Sequence, residues 1–139
     1  MADRPVKPLP ARTYSVTIAR DWRQVYEAIW RPEAFAHWAA GMAKGNLRQE
    51  KGRWLDDGPD GPIEIRFTPH NDFGVMDHFV DPGDGAEVEV PLRVAANGSG
   101  AEVLLTLYRQ PGMSDGTFAR DARWINRDLR ALKAWVEKL

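Results

Sequence analysis

Four polar side chains that could do chemistry lie close together between residues 70 and 78. His70, Asp72, Asp77 and His78 are close enough in sequence to suggest a metal site. Their spacing matches no established ligand pattern, and strand alternation would send Asp77 and His78 to opposite faces of a sheet. We therefore predict a polar turn here, with no metal bound.

The segment 74–80 is apolar on both faces except for Asp77 and His78. If one face of this strand lines a cavity, one of these two groups must point inward. Burying a neutral imidazole costs less than burying an unpaired carboxylate, so we predict that His78 faces inward together with Met76 and Val80. An exposed strand end, with neither residue buried, is the alternative.

Two further carboxylates, Asp121 and Asp128, lie at one edge of the apolar stripe of a predicted helix. No basic residue stands three or four positions from either, so we expect no salt bridge within the helix. Charged side chains are rarely fully buried, which favours a hydrated position at the boundary. Pairing with a cation from the sheet, such as Arg66 or Arg93, is the other interpretation.

The elements that must position these groups begin with a strand at residues 13–19, where apolar and polar residues alternate. Asp21 is suited to cap a short helix that ends before Pro32. A second helix is predicted to follow, with Phe35, Trp38, Ala39 and Met42 on one side and Gly41 or Gly45 at its end. Turn residues then separate six predicted strands, at residues 47–50, 53–55, 63–68, 74–80, 88–94 and 103–109.

The long C-terminal segment, residues 114–138, is predicted to be one unbroken helix. Ser114 is a suitable N-cap, and apolar residues recur at spacings of three and four along one stripe, namely Phe118, Ala122, Ile125, Leu129, Leu132 and Val136. The arginines at 120, 123, 127 and 130 are expected on the hydrated side. A lone amphipathic helix cannot bury its own stripe, so the preceding strands must cover it.

Length and charge limit the possible functions. The chain has 139 residues, a formal net charge of −1 and no cysteine. This size suits one domain, the charge offers no field that would attract nucleic acid, and thiolate chemistry is excluded. No run of residues is apolar enough to span a membrane. We expect a cytoplasmic protein with a flexible Pro-rich tail at residues 1–12 and a single domain at residues 13–139.

The order of strand, two short helices, strand meander and long helix resembles that of the SRPBCC superfamily, the START-like or helix-grip proteins. The resemblance rests on the strand at 14–18, on residues 25–38 (VYEAIWRPEAFAHW), on residues 74–80 (GVMDHFV) and on residues 107–115 (LYRQPGMSD). It implies an α+β fold in which a seven-stranded antiparallel sheet curls around the C-terminal helix. It also implies a cavity between the sheet and the helix.

The superfamily includes carriers of hydrophobic ligands, polyketide cyclase/dehydratase-like domains and activators of a heat-shock ATPase. We expect binding of an apolar or aromatic small molecule without a cofactor, and the resemblance is compatible with a homodimer. An enzyme of polyketide cyclase or dehydratase type, with His78 and Tyr108 as weak acid–base candidates, is one alternative. A protein-interaction module is the other. The residues expected to line the cavity are Phe35, Trp38, Phe67, Met76, His78, Val90, Tyr108, Trp124 and Ile125.

Overall fold

The computed structural model describes residues 5–39, 46–58, 61–83 and 85–139. Within these residues the chain forms eight strands, two α-helices and one short 3-10 helix. The strands are β1 (Ala11–Ile18), β2 (Arg48–Glu50), β3 (Arg53–Gly58), β4 (Gly61–Phe67), β5 (His78–Asp81), β6 (Val88–Val90), β7 (Leu92–Asn97) and β8 (Gly100–Tyr108). The helices are α1 (Trp22–Ile29), the 3-10 helix (Pro32–His37) and α2 (Asp115–Val136).

The strands form two antiparallel sheets, with the orders β1-β8-β7 and β2-β3-β4-β5-β6. The predicted α+β class, antiparallel pairing and long C-terminal helix are confirmed, but the single seven-stranded sheet is wrong. One physical cause is Pro91, which divides the predicted strand 88–94 into β6 and β7. Its carbonyl accepts a hydrogen bond from the Thr106 amide at 2.9 Å. Proline has no N–H with which to return that bond.

The predicted strand at 74–80 is also divided between the two sheets. Only its second half belongs to β5, where His78 pairs with Val90 of β6. Its first half runs beside β7, where Val75 and Arg93 form an isolated bridge. The two pairings share one register, so this segment connects the two sheets without a change of face.

The first strand and helix lie close to their predicted positions. β1 begins at Ala11, two residues before the predicted Thr13, because Ala11 pairs with Tyr108 of β8. The Asp21 carboxylate caps α1 by accepting hydrogen bonds from the backbone amides of Arg23 and Gln24.

The predicted second helix is shorter than expected. It is a 3-10 helix that begins at Pro32 and ends at His37, so Trp38 and Ala39 follow it rather than continue it. The predicted contribution of Met42 and the predicted ends at Gly41 and Gly45 lie outside the described residues.

The C-terminal helix α2 is unbroken, as predicted. The Ser114 hydroxyl accepts a hydrogen bond from the Thr117 amide and caps the helix. The apolar stripe is buried against β1, β8 and the 3-10 helix, with Leu129 and Leu132 at most 1% exposed. None of the described helices is long and apolar enough to cross a membrane.

Candidate functional site

A cavity of about 270 Å³ lies between α2, the end of the 3-10 helix and the inner faces of the strands. Its apolar wall comes from strands whose inward residues alternate with outward polar ones, together with residues near the 3-10 helix and on α2. This wall consists of Phe35, Trp38, Ala39, Gly61, Ile63, Ile65, Val80, Pro82, Val88, Val90, Leu105, Leu107, Met113 and Ile125. The polar side chains in the wall are His78, Tyr108, Gln110, Thr117, Arg120, Asp121 and Asp128.

The structure brings most of the residues that we expected at the site to this cavity. Those that line it are Phe35, Trp38, His78, Val90, Tyr108 and Ile125. Trp38 is only 3% exposed, and its indole Nε1 has no hydrogen-bond partner among the described residues. A buried donor without a partner costs free energy, so this group is a candidate contact for a ligand acceptor.

Three other expected residues, Phe67, Met76 and Trp124, lie outside the cavity wall. Phe67 follows the lining residues of β4 but packs edge-on against Phe35, with ring centroids 4.9 Å apart. Met76 is part of the closed core. Trp124 lies beneath the guanidinium group of Arg120, whose Cζ is 4.5 Å from the ring centroid. Strand and helix periodicity predicts the face on which these side chains lie. It does not predict whether they reach the surface of the cavity.

The helical wall corrects our interpretation of Asp121 and Asp128 as hydrated boundary residues. They are 6% and 4% exposed and line the cavity. Arg120, expected on the hydrated side, also lines the cavity and places its guanidinium Nη2 3.3 Å from Oδ1 of Asp121. Neighbouring helical residues do not normally face each other, so the spacing rule that we applied did not predict this pair.

His78 lies in the cavity wall, on the inward side that its strand alternation favoured, and is 8% exposed. Its Nδ1 is 3.3 Å from the carbonyl oxygen of Met76. Burial lowers the pKa of the His78 imidazole from 6.5 to about 4, although the bond to Met76 and the charge of Asp77 oppose this shift. The ring is therefore neutral at pH 7.

The other polar group of this strand, Asp77, lies away from the cavity. Its carboxylate accepts a hydrogen bond from the Leu92 amide at 2.9 Å. It also pairs with Arg93, whose Nη2 lies 2.9 Å from Oδ2 of Asp77. Arg93, proposed as a possible partner of Asp121 or Asp128, is thus paired on the outer side of the sheet. The other proposed cation, Arg66, pairs with Glu87.

The remaining histidines are absent from the cavity wall. His37 is exposed, as expected, and stacks flat on Trp135 of α2 with ring centroids 4.5 Å apart. His70 places Nε2 2.6 Å from Oε1 of Glu27. In the part of the chain that the structure describes, no three His, Cys, Asp or Glu side chains are grouped so that they could hold a metal ion.

Alternation offered a signal for several lining residues that our expectation omitted. Ile63 and Ile65 share a face of β4. Val80, which we predicted to face inward with His78 but did not include among the lining residues, also lies in the wall. No comparable signal was available for Gln110 and Met113, because they belong to the irregular connection between β8 and α2.

The chain matches no family model, and no curated protein matches it in sequence. Solved structures do match it in fold. The protein XoxI from Bacillus cereus has a TM-score of 0.70 at 16% identity, with 91% of this chain and 94% of that chain covered. The Aha1 dimer from Colwellia psychrerythraea gives 0.69 at 12% identity, with 93% and 97% covered.

A third match is DynU16, a protein in the dynemicin biosynthetic locus. Its TM-score is 0.68 at 16% identity, and the match covers 91% of this chain but 47% of DynU16. At identities this low, the matches show a similar arrangement of helices and strands, but they give no information about the chemistry of the site. By its topology and by these likenesses, the chain has the helix-grip fold.

Proposed function

We propose that this protein binds an apolar or aromatic small molecule in the cavity between its strands and α2. The observation that carries the proposal is the cavity itself, about 270 Å³ with walls that are mainly aliphatic and aromatic. Concave apolar pockets with a few polar groups are the usual form of small-molecule sites. An apolar ligand would gain free energy by leaving water for this space.

Catalysis of the cyclase or dehydratase type receives less support from the geometry. A general base works best when its pKa lies near the operating pH. The pKa of His78 is about 4, so its imidazole is a weak base at neutral pH. The likeness to DynU16 is compatible with a ligand of biosynthetic origin, but it concerns fold alone.

An interaction module is also less well supported. Such a function calls for a contiguous exposed apolar surface. The large apolar side chains exposed among the described residues are Val6 and Leu9 in the N-terminal segment, Phe73 in a loop and Leu139 at the C-terminus. A homodimer remains compatible with the likeness to the Aha1 dimer. Sedimentation equilibrium would measure the subunit number.

The test of ligand binding is a titration with the fluorescent hydrophobic probe 1-anilinonaphthalene-8-sulfonate and with uncharged N-phenyl-1-naphthylamine. We expect saturable binding of the uncharged probe at micromolar concentration, about −8 kcal/mol. Ile125→Trp should fill the cavity and weaken binding, because Ile125 lines it and is 3% exposed.

Arg123→Trp is the matched control, since Arg123 is exposed on the same helix and does not line the cavity. This variant should bind the probe as the wild type does. A folded wild type without a saturable response to a broad set of apolar ligands would contradict the proposed function. Unchanged binding of the probe by a folded Ile125→Trp variant would show that the probe binds elsewhere.

A further inference from the structure

On the sheet side of the cavity, His78 presents its imidazole amid aromatic and aliphatic side chains, and Tyr108 at the end of β8 is a second polar residue of the wall. Among the described residues its ring packs edge-on against Phe35, with centroids 5.4 Å apart and an angle of 84°. Phe67 lies behind it at 6.1 Å. The imidazole is therefore held in an aromatic surrounding, where a hydrogen bond to a ligand would be shielded from water.

The contact with Met76 determines which nitrogen of His78 carries the proton. Nδ1 lies 3.3 Å from the Met76 carbonyl oxygen, and a carbonyl oxygen can only accept a hydrogen bond. Nδ1 is therefore the donor. In a neutral imidazole the other nitrogen, Nε2, then has a lone pair and no hydrogen, so it can only accept. Burial keeps this ring neutral at pH 7.

No described residue donates a hydrogen bond to Nε2 of His78. On the helical side of the cavity, Arg120 already pairs with Asp121, and Asp128 lies in the same wall. A ligand with a hydrogen-bond donor therefore meets an acceptor on the strand side, at Nε2 of His78. A site built to bond such a donor discriminates against an analogue that lacks it.

The size of the cavity limits the apolar body of the ligand. A cavity of about 150 Å³ in another protein holds one benzene ring. At about 270 Å³, this cavity has room for an aromatic body of about two rings. The aromatic wall formed by Phe35 and Trp38, whose ring centroids are 4.9 Å apart, offers edges and faces for such a body.

We propose that the ligand is a compact aromatic molecule with a neutral hydroxyl group, and that this hydroxyl donates a hydrogen bond to Nε2 of His78. This inference rests on the proposed function, because it names the chemical class that the same cavity selects. The role of His78 is to determine specificity. No covalent bond of the ligand is made or broken when it binds.

Calorimetric titration at pH 7 with 2-naphthol, 2-methoxynaphthalene and naphthalene tests the inference. The methoxy compound keeps the oxygen but lacks the donor hydrogen. One neutral hydrogen bond corresponds to about threefold to tenfold in affinity. We expect the wild type to bind 2-naphthol tighter than 2-methoxynaphthalene by about that factor. His78→Phe should remove this difference and leave the affinity for naphthalene similar or higher.

Val90→Leu is the matched control, because Val90 pairs with His78 across β5 and β6 and also lines the cavity. It reduces the space without removing the acceptor, so it should change the affinities for 2-naphthol and 2-methoxynaphthalene by the same factor. Nitrogen NMR of the wild type needs no variant. The Nε2 resonance of His78 should shift with 2-naphthol and not with 2-methoxynaphthalene.

The outcomes separate the two proposals. If the wild type binds all three compounds with equal affinity and Nε2 does not shift, this inference is overturned while the proposed function stands. The inference is also overturned if His78→Phe keeps the preference for 2-naphthol. If none of the three binds and the broad set of apolar ligands also fails, both proposals are overturned.

Discussion

The side chains of Asp77 and His78 bond to two backbone groups, the Leu92 amide and the Met76 carbonyl, that would otherwise bond to each other. The register that joins Val75 to Arg93 and His78 to Val90 places Met76 opposite Leu92. The Met76 amide donates to the Leu92 carbonyl at 2.8 Å, but the bond in the other direction is absent. The Leu92 amide instead donates to Asp77, and the Met76 carbonyl accepts from His78.

The consecutive side chains of Asp77 and His78 therefore point to opposite sides of the sheet, and each bonds to one of the two backbone groups. On the outer side, Asp77 replaces a backbone acceptor. On the inner side, His78 replaces a backbone donor and is thereby oriented toward the cavity. Because buried backbone groups almost always find a partner, this exchange also explains why two polar residues are tolerated in an otherwise apolar segment.

The first prediction concerns Asp77. Asp77→Ala leaves the amide of Leu92, a residue with 0% exposure, without its acceptor. We expect a loss of about 1–3 kcal/mol in the free energy of unfolding, the usual cost of an unsatisfied buried donor. Asp77→Asn keeps an acceptor oxygen and should recover most of that loss. Urea unfolding followed by circular dichroism measures both values.

Arg93→Ala is the control, because it removes the ion pair and keeps the bond to Leu92. The Arg93 side chain is 58% exposed, and exposed ion pairs contribute about 0–1 kcal/mol. If Arg93→Ala destabilises the protein as much as Asp77→Ala does, the ion pair and not the backbone bond is the dominant interaction.

The second prediction concerns the dependence of stability on pH. The pKa of His78 is about 4 in the folded protein and near 6.5 when exposed, so the unfolded chain takes up the proton more readily. This contribution to stability is complete above pH 6.5 and is lost as the pH falls from 6.5 toward 4. The gap between the two values corresponds to about 3 kcal/mol at 1.36 kcal/mol for each pKa unit.

Some carboxylates also contribute stability that is lost in acid, among them Glu102, whose pKa is held below its ordinary value by a hydrogen bond from Thr17. A comparison with His78→Phe removes their contribution. The wild type should lose about 3 kcal/mol more than this variant between pH 7 and pH 4, measured by urea unfolding at each pH. NMR titration of the His78 ring should give a folded pKa well below 6. Parallel stability curves for the two proteins would contradict the prediction.

Sequence periodicity predicted the elements of the fold better than it predicted their assembly. The stripe of α2 and its cap at Ser114 were predictable because a 3.6-residue period persists along the whole helix. The division at Pro91 was not predicted. Apolar and polar residues alternate on both sides of the proline, so the segment 88–94 had the pattern of one strand. The alternation of apolar and polar residues indicates the face of the strand on which a side chain lies. The hydrogen bonds between strands also depend on the backbone N–H of each residue.

The cavity wall was predictable in part for the same reason. Ile125 is in the apolar stripe and lines the cavity, but Asp121 and Asp128 lie along the same line of the helix. The sequence alone does not indicate which edge of the apolar stripe of α2 is covered by strands and which is exposed to solvent. That choice depends on the position of α2 over β1 and β8, a long-range property of the fold.

The third prediction concerns the core under α2. Leu129 is 1% exposed, and Leu129→Ala should cost about 2–5 kcal/mol through lost apolar contact and the void that remains. Arg130→Ala, at the exposed neighbouring position, should change stability by less than about 0.5 kcal/mol. Thermal unfolding gives the comparison. Similar losses in both variants would indicate that α2 is not packed on the sheets along this stripe.

The last prediction concerns Gly74, whose backbone lies close to Val94 of β7. Gly74 has a φ of +70°, and an added Cβ would lie 2.3 Å from the carbonyl oxygen of Val94. The Gly74 carbonyl also accepts the Val94 amide at 2.9 Å, so neither backbone can move away without loss of that bond. Gly74→Ala should therefore combine an unfavourable φ with a backbone clash.

Gly98 separates these two effects, since its φ is +59° and nothing lies within 4 Å of an added Cβ. Gly98→Ala should cost about 1–2 kcal/mol, the usual penalty of a left-handed conformation for an L-residue. Gly74→Ala should cost at least about twice as much, and urea unfolding of the two variants measures the difference. Equal losses would mean that the chain at residue 74 moves away from Val94 at little cost. The junction between the two sheets, which orients His78, would then be less rigid than its contacts indicate.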